Sequence, residues 1–130
     1  MIVAKKFEAS LDLVELNRRM KDFYDIWMLS RAYQFHGSTL QEAIVATCQR
    51  RTRPLSPQAP VFSKEFAERS DKQAQWKTFQ KKIQLPDIPE DFSTIMNDFG
   101  RFLHPLTEVL ERHRCFKKKW IVEGPWRPTT

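Results

Sequence analysis

The hydrophobic positions of this 130-residue chain recur at spacings of three and four over most of its length. In an α-helix these spacings place apolar side chains on one face, so the pattern predicts a series of amphipathic helices. The first is expected to start near Val3 and the second to run from about Arg19 to Tyr33. Gly37 is expected to end that second segment in a left-handed conformation, and a third helix should follow it.

The second half of the chain is divided by prolines, which cannot lie in a helix interior without breaking or kinking it. Ser63 is expected to cap a short helix and Asp71 a longer one. A last long helix is expected to begin near Glu90, and Pro105 to kink or restart it. Beyond Arg114 the helical pattern is lost.

Strict alternation of apolar and polar residues, the sign of a half-buried strand, is not evident in any window. The predicted fold is therefore all-α: a compact bundle of about five or six helices with an extended basic C-terminal tail. We expect one domain over residues 1–130.

The charge is basic and uneven along the chain. There are 22 Lys and Arg against 16 Asp and Glu, a net charge of +6. Residues 1–53 carry 9 basic and 6 acidic groups, residues 54–100 carry 6 and 7, and residues 101–130 carry 7 and 3. Basic ends suit a polyanionic partner, although a surplus of this size also simply favours solubility.

Long apolar stretches and a secretory signal are lacking, and the two cysteines are too few for a disulfide framework. We therefore expect a soluble cytoplasmic protein without a membrane partner. The histidines and cysteines have no metal-ligand spacing, so no metal site is predicted from this chain alone.

The densest group of functional side chains lies at residues 17–25. Asp22 and Asp25 are three apart, so on a helix their carboxylates project from neighbouring points. Such a pair can hold a divalent cation or accept a proton from a hydroxyl group. An ordinary alternative is a pair of surface salt bridges, Arg18 with Asp22 and Lys21 with Asp25, at the four-residue spacing.

A second group of functional side chains lies in the C-terminal tail, where basic residues are interleaved with Phe116 and Trp120. Cations can follow a phosphate backbone while the aromatic rings stack on bases. The alternative is a solvated tail whose aromatic rings fold back onto the domain. The candidate nucleic-acid-binding residues are Arg112, Arg114, Lys117, Lys118 and Lys119.

Two blocks of sequence carry a resemblance to a known family. These are V-A-K-K-F-E-A at residues 3–9 and N-R-R-M-K-D-F-Y-D at residues 17–25. They resemble the AbiEii/AbiGii nucleotidyltransferase toxins, whose K-F-E-A…N-S-R-x-K-D-F-Y-D pattern maps on without a gap. Later landmarks agree, from Gln75-Trp76 to Gly124-Pro125-Trp126-Arg127, so the resemblance covers nearly the whole chain.

The resemblance implies an enzyme that moves a nucleoside monophosphate from an NTP to an RNA acceptor such as tRNA, with Mg²⁺ as cofactor. It also implies the toxin of a toxin–antitoxin pair linked to phage defence, and hence an antitoxin partner. The family's motif lysine falls on Lys6, which would grip the triphosphate. Its motif aspartate falls on Asp22, which would deprotonate or orient the acceptor hydroxyl. Arg19, Lys21 and Asp25 would support that site by charge pairing.

The sequence departs from the family pattern where the metal-binding residues are expected. The family's G-S motif and D-x-D carboxylates do not precede Lys6, and Val14 and Arg18 stand where a glycine and a serine are expected. The chain therefore resembles the C-terminal helical half, with the N-terminal nucleotidyltransferase core as its missing partner. We expect it to be inactive alone and, because apolar surface would then be exposed, to self-associate. The alternative is a stand-alone helical module that docks an antitoxin or binds RNA through residues 112–127 without catalysis.

Overall fold

The computed structural model describes five α-helices and three short strands in the following parts of the chain. The described residues are Val3, 20–50, 60–84, 88–111, 116–122 and 124–128. The helices are α1 (Met20–Ala32), α2 (Gly37–Arg50), α3 (Lys64–Glu68), α4 (Ser70–Ile83) and α5 (Phe92–Glu111). The strands are β1 (Phe35–His36), β2 (Lys118–Trp120) and β3 (Trp126–Pro128). The predicted compact, mostly helical fold is confirmed.

The core forms where α1 packs against α3 and α5. Phe23 is fully buried, and its ring makes edge contacts with Phe66, Phe92 and Phe99 at centroid distances of 6.0, 5.6 and 5.5 Å. Burying one such side chain contributes about 1.5–3 kcal/mol, and aromatic edge contacts add further stabilisation. The apolar residues that recur at helical spacing in the sequence therefore form the core.

A polar contact fixes α1 against α5 outside this aromatic cluster. The Trp27 indole N–H donates a hydrogen bond of 2.9 Å to Asp98 Oδ2, and Arg31 lies 5.0 Å above the Trp27 ring. Arg101 Nη1 lies 3.5 Å from the other Asp98 oxygen. The two helices are thus held in one register along their length.

Gly37 begins α2 instead of ending the preceding helix in a left-handed conformation, so that expectation is wrong. A Cβ at this position would lie 2.5 Å from Phe116 Cδ1 and 2.7 Å from the Lys118 carbonyl oxygen. Glycine is needed here because the C-terminal segment crosses the backbone closely. Val3 is helical and buried, but the remainder of the helix predicted to start there lies outside the described residues.

The starts of the two central helices differ in how they are capped. Ser63 caps α3 as predicted, because its side chain accepts a 3.1 Å hydrogen bond from the Phe66 N–H. Arg69, not Asp71, occupies the N-cap position of α4, and Asp71 lies in the first turn, so that prediction is wrong. Two hydrogen bonds from the Arg69 guanidinium hold the pKa of the Asp71 carboxyl below its ordinary value.

The longest helix, α5, begins two residues after the expected Glu90 and contains Pro105 in its interior. The expected restart at this proline does not occur, because one helix spans Phe92–Glu111. The apolar stripe continues on both sides of the proline, with Phe102, Leu103 and Leu106 fully buried. Packing of this stripe outweighs the loss of one backbone hydrogen bond.

The C-terminal tail pairs with β1 in a small antiparallel sheet of order β1-β2-β3, which the sequence did not predict. Phe35 pairs with Trp120 and Trp120 with Trp126, so aromatic side chains share the face that packs on the helices. The Trp120 indole N–H donates to the Ser30 carbonyl at 2.7 Å, and that of Trp126 to the Phe102 carbonyl at 2.8 Å. The Phe116 and Trp120 rings therefore fold back onto the domain, whereas RNA binding by the tail cations stays a prediction.

Among the helices of the described residues, none is long and apolar enough to cross a membrane. The large apolar side chains that are exposed in this part of the chain are Met28, Tyr33 and Val122. Self-association stays a prediction.

Candidate functional site

The predicted catalytic group is described only in part. Lys6 and Arg19, like Arg112 and Arg114 of the tail, lie outside the described residues. Whether the Lys6 ammonium approaches the Asp22 carboxylate therefore stays a prediction. The site can be built from the residues of α1 and from the helix that packs beside its first turn.

Three of the predicted site residues lie in the first two turns of α1. The Lys21 Nζ atom is 3.1 Å from Asp25 Oδ2, so the i,i+4 salt bridge proposed as the ordinary alternative is formed. The Lys21 side chain is 73% exposed and that of Asp25 15% exposed, which limits the pair to a few tenths of a kcal/mol. Asp22 is half-buried in the first turn, where the helix dipole favours a negative charge.

A cleft lies between the start of α1 and the outer face of α4. Its volume is about 390 Å³, within the range of small-molecule sites. Two lysines, an amide and a hydroxyl group supply its polar lining, while a methionine, an alanine and an aromatic ring supply the rest. The lining residues are Met20, Lys21, Ala74, Gln75, Thr78, Phe79 and Lys82. We call this the α1–α4 cleft; its two ammonium groups suit an anionic ligand such as a polyphosphate.

A buried lysine stands behind this cleft. Lys72 is 1% exposed, and its ammonium donates a 3.0 Å hydrogen bond to Oε1 of Gln75, which lines the cleft. Burial lowers the pKa of Lys72, with the nearby Asp71 charge opposing the shift and Arg69 adding to it. Lys72 therefore orients the Gln75 amide from the protein side.

Sequence reasoning missed the contribution of α4 to this cleft. Lys82 and Thr78 read as ordinary solvated positions of an amphipathic helix, and nothing in the sequence shows that Lys72 is buried. The only signal was the Gln75-Trp76 landmark of the family resemblance. Trp76 is fully buried and its indole donates to the Pro89 carbonyl at 2.9 Å, which fixes the face of α4 that carries Gln75.

The described residues do not by themselves form a magnesium site. No group of three or more His, Cys, Asp or Glu side chains that could share a metal ion is found among them. Asp22 and Asp25 supply two carboxylates, and one of these is already paired with Lys21. Mg²⁺ prefers octahedral oxygen coordination, which these two side chains do not complete.

A second concavity is larger but carries none of the predicted site residues. It has a volume of about 530 Å³ and lies between α3 and α5, with Phe62, Met96, Gly100 and His104 in its wall. The His104 ring contacts Phe62 at 4.9 Å and lies 3.1 Å from Glu108. The lining of this concavity also carries two cations, Lys64 and Arg101. We take the smaller α1–α4 cleft as the candidate site, because Lys21 of the predicted site lines it.

Comparison with known families gives one match. Residues 1–98 match the family described as nucleotidyl transferase AbiEii toxin, type IV toxin–antitoxin system. The chain belongs to the AbiEii toxin family. The comparisons with curated proteins and with solved structures gave no match.

The α1–α4 cleft lies within the residues that match the AbiEii family. The matched residues include both blocks of the resemblance, the whole of α1 and the whole of α4. A toxin of a toxin–antitoxin system implies an antitoxin as a partner. Asp22 and the cleft therefore lie inside the part of the chain that defines this AbiEii toxin.

The basic tail of this AbiEii-family chain lies beyond the matched residues. Lys117 and Lys118 are exposed, Lys119 is half-buried, and the Lys118 ammonium lies 5.9 Å from the centre of the Phe116 ring. Phe116 itself is buried and its N–H donates to Gln41 Oε1 at 3.0 Å. Lys118 and Lys119 therefore lie on the middle strand of the sheet, and Lys117 directly precedes that strand.

Proposed function

We propose that this chain carries part of the active site of an AbiEii toxin that transfers a nucleoside monophosphate from an NTP to an RNA acceptor. The acceptor class we propose is the 3′ end of tRNA, in a system that limits phage growth in the bacterial cytoplasm. The observation that carries the proposal is the family match over residues 1–98, which includes both Lys6 and Asp22.

In the proposed reaction the acceptor 3′-oxygen attacks the α-phosphorus of the NTP. A new oxygen–phosphorus bond forms, the bond between the α-phosphorus and the bridging oxygen breaks, and pyrophosphate leaves. Asp22 accepts the hydroxyl proton and then releases it to water. The Lys21 and Lys82 ammonium groups of the α1–α4 cleft attract the phosphates, and Lys6 grips the triphosphate as a point charge.

Metal ions would supply charge neutralisation on the phosphates in this class of reaction. Because the described carboxylates do not complete a magnesium site, we propose that a second polypeptide segment with the family's D-x-D carboxylates supplies the ligands. This assigns the chain the helical half of the enzyme and makes that segment its partner.

The test is label transfer from the four α-³²P-labelled NTPs to tRNA in the presence of Mg²⁺. The chain is assayed alone and after co-expression with the coding sequence immediately upstream of Met1. We expect the chain alone to be inactive and the combination to label tRNA. Asp22→Asn should lower the rate at least about 100-fold, the scale of a lost general base.

Two results would contradict the proposal in different ways. Transfer by the isolated chain at the rate of the combination would show that no second segment is needed. Lack of transfer in both samples, with the wild-type chain folded, would reject nucleotidyl transfer to tRNA.

The alternative is a helical module that binds RNA or the antitoxin without catalysis. Its support is the sheet, because strand β2 carries Lys118 and Lys119 far along the chain from the predicted carboxylates of α1. RNA binding that weakens steeply with salt, together with a lack of transfer activity even after co-expression with the upstream segment, would favour this reading.

A further inference from the structure

The register of the small sheet brings three basic side chains into one row. His36 is paired with Lys119, and Lys119 is paired with Arg127. Residues directly opposite each other on neighbouring strands share a face, with Cβ atoms about 4.5–5.5 Å apart. The three side chains, which we call the basic row, therefore cross all three strands side by side.

The basic row lies on the face of the sheet that turns away from the core. Successive residues of a strand point to opposite faces, and the neighbouring row of Phe35, Trp120 and Trp126 packs on the helices. In keeping with this, His36 and Arg127 are exposed, while Trp120 is only 2% exposed. The packing of the core face thus fixes where the three basic side chains lie.

Within the described part of the chain, no carboxylate pairs with Lys119, Arg127 or His36. Like charges directly opposite each other on a sheet are destabilising. Among the described residues, two permanent cations therefore lie next to each other and neither is neutralised. A bound polyanion would supply the missing opposite charge.

We propose that the basic row binds the phosphate backbone of the RNA acceptor; this choice of polyanion rests on the proposed function. Arg and Lys on neighbouring strands can each contact one of two adjacent phosphates, with the His36 ring donating an N–H beside them. An acidic protein fits less well, because protein interfaces centre on apolar residues and this face of the sheet offers only basic ones.

Sequence reasoning did not predict that these three residues lie in one row. Lys119 was among the candidate nucleic-acid-binding residues named one by one, Arg127 closed the range 112–127 of the alternative RNA-binding module, and His36 was given no such role. Their proximity depends on pairing between segments far apart in the chain, which no local pattern encodes.

The test compares wild type with Lys119→Thr/Arg127→Thr in binding to a fluorescent tRNA transcript over a range of salt concentrations. Threonine suits a strand and removes the charge. We expect binding about tenfold weaker at low salt and a salt slope reduced by about 1.5–2, because two phosphate contacts are lost. Thermal unfolding should show an unchanged or raised midpoint, because charge repulsion is relieved.

The matched control is Lys77→Gln/Lys81→Gln, which removes the same charge from exposed positions of α4 outside the cleft lining. We expect it to keep the wild-type salt slope. If the row variant binds tRNA with wild-type affinity and slope, the inference is wrong. If it keeps tRNA binding but loses the antitoxin, the row is a protein interface and the inference is also wrong.

These experiments distinguish a failure of the proposed nucleotidyl transfer from a failure of the proposed RNA binding by the basic row. Asp22→Asn should bind tRNA like wild type while losing transfer. Binding through the row without transfer in any sample would reject the proposed function alone, whereas transfer that is insensitive to the row variant would reject the row alone.

Discussion

The C-terminal sheet and the α1–α4 cleft both present lysines to solvent, but the protein holds them by different means. In the sheet, two tryptophans donate hydrogen bonds to helix carbonyls at 2.7 and 2.8 Å, and their burial positions the cations on the other face. In the cleft, Lys21 is 73% exposed and its partner Asp25 belongs to the same helix. The sheet therefore couples its cations to the stability of the fold, and the cleft leaves them almost independent of it.

The largest effect on stability should come from the turn that joins the last two strands. Gly124 has a φ of +81°, and a Cβ there would lie 2.5 Å from Trp120 Cη2 and 2.8 Å from Cζ2. Gly124→Ala must therefore strain the backbone and displace a buried ring that is hydrogen bonded to Ser30. We expect the free energy of unfolding, measured by urea denaturation, to fall by about 2–3 kcal/mol.

The Gly124→Ala variant also tests whether the sheet is more tightly coupled to the core than the α1–α4 cleft is. The same variant should retain the far-ultraviolet circular dichroism of the helices at low temperature, because the substitution lies outside them. A loss below about 0.5 kcal/mol would mean that the sheet is not tightly coupled to the core, and the contrast with the cleft would fail.

The buried lysine behind the cleft gives a smaller effect with a distinctive pH dependence. Burial lowers the folded-state pKa of Lys72 from 10.5. Between the folded value and 10.5 the unfolded chain binds more protons, so wild-type stability should rise with pH in that window. Below the folded pKa both states carry the proton and the burial penalty is fully present.

Lys72→Met removes this ionisation while keeping the side chain's volume and apolar character. We expect it to raise the free energy of unfolding at neutral pH by on the order of 1 kcal/mol and to abolish the rise in stability just below pH 10.5. Lys77→Met, at an exposed position of the same helix, is the control and should keep the wild-type pH profile. Equal profiles for both variants would show that Lys72 is not desolvated.

Local patterns in the sequence predicted the helices well because the core is built from them. The expected end of α1 at Tyr33 lies one residue beyond Ala32, and the described residues Met20–Ala32 all lie within the expected range. The Ser63 cap was also predicted from local chemistry. In each case the deciding contacts lie within the helix or on its apolar face.

The features that the sequence did not predict depend on contacts between distant segments. Strands of two or three residues are too short to show alternation, so the sheet was read as an extended tail. Glycine is required at position 37 by close contacts with Phe116 and Lys118, which are distant in sequence. The local pattern could not show these contacts, so Gly37 was predicted to end a helix. The α1–α4 cleft likewise needs two helices that no local pattern relates. The site was predicted on α1 alone, and the roles of Asp22 and its neighbours stay predictions.

The smallest effect should come from the same substitution at a glycine with open space. Gly100 lies inside α5, where a Cβ would meet no atom within 4 Å, and its φ is helical. Alanine lowers the entropy of the unfolded chain and favours the helix, so Gly100→Ala should raise the free energy of unfolding by about 0.5–1 kcal/mol. The measurement is the urea denaturation used for Gly124→Ala, with tRNA binding expected to stay unchanged. Because the two variants add an identical methyl group, the difference between them isolates what backbone conformation and close packing contribute in the sheet. If Gly100→Ala destabilised the protein as much as Gly124→Ala, the sheet would hold no special constraint, and its tight coupling to the core could not explain how the basic row is positioned.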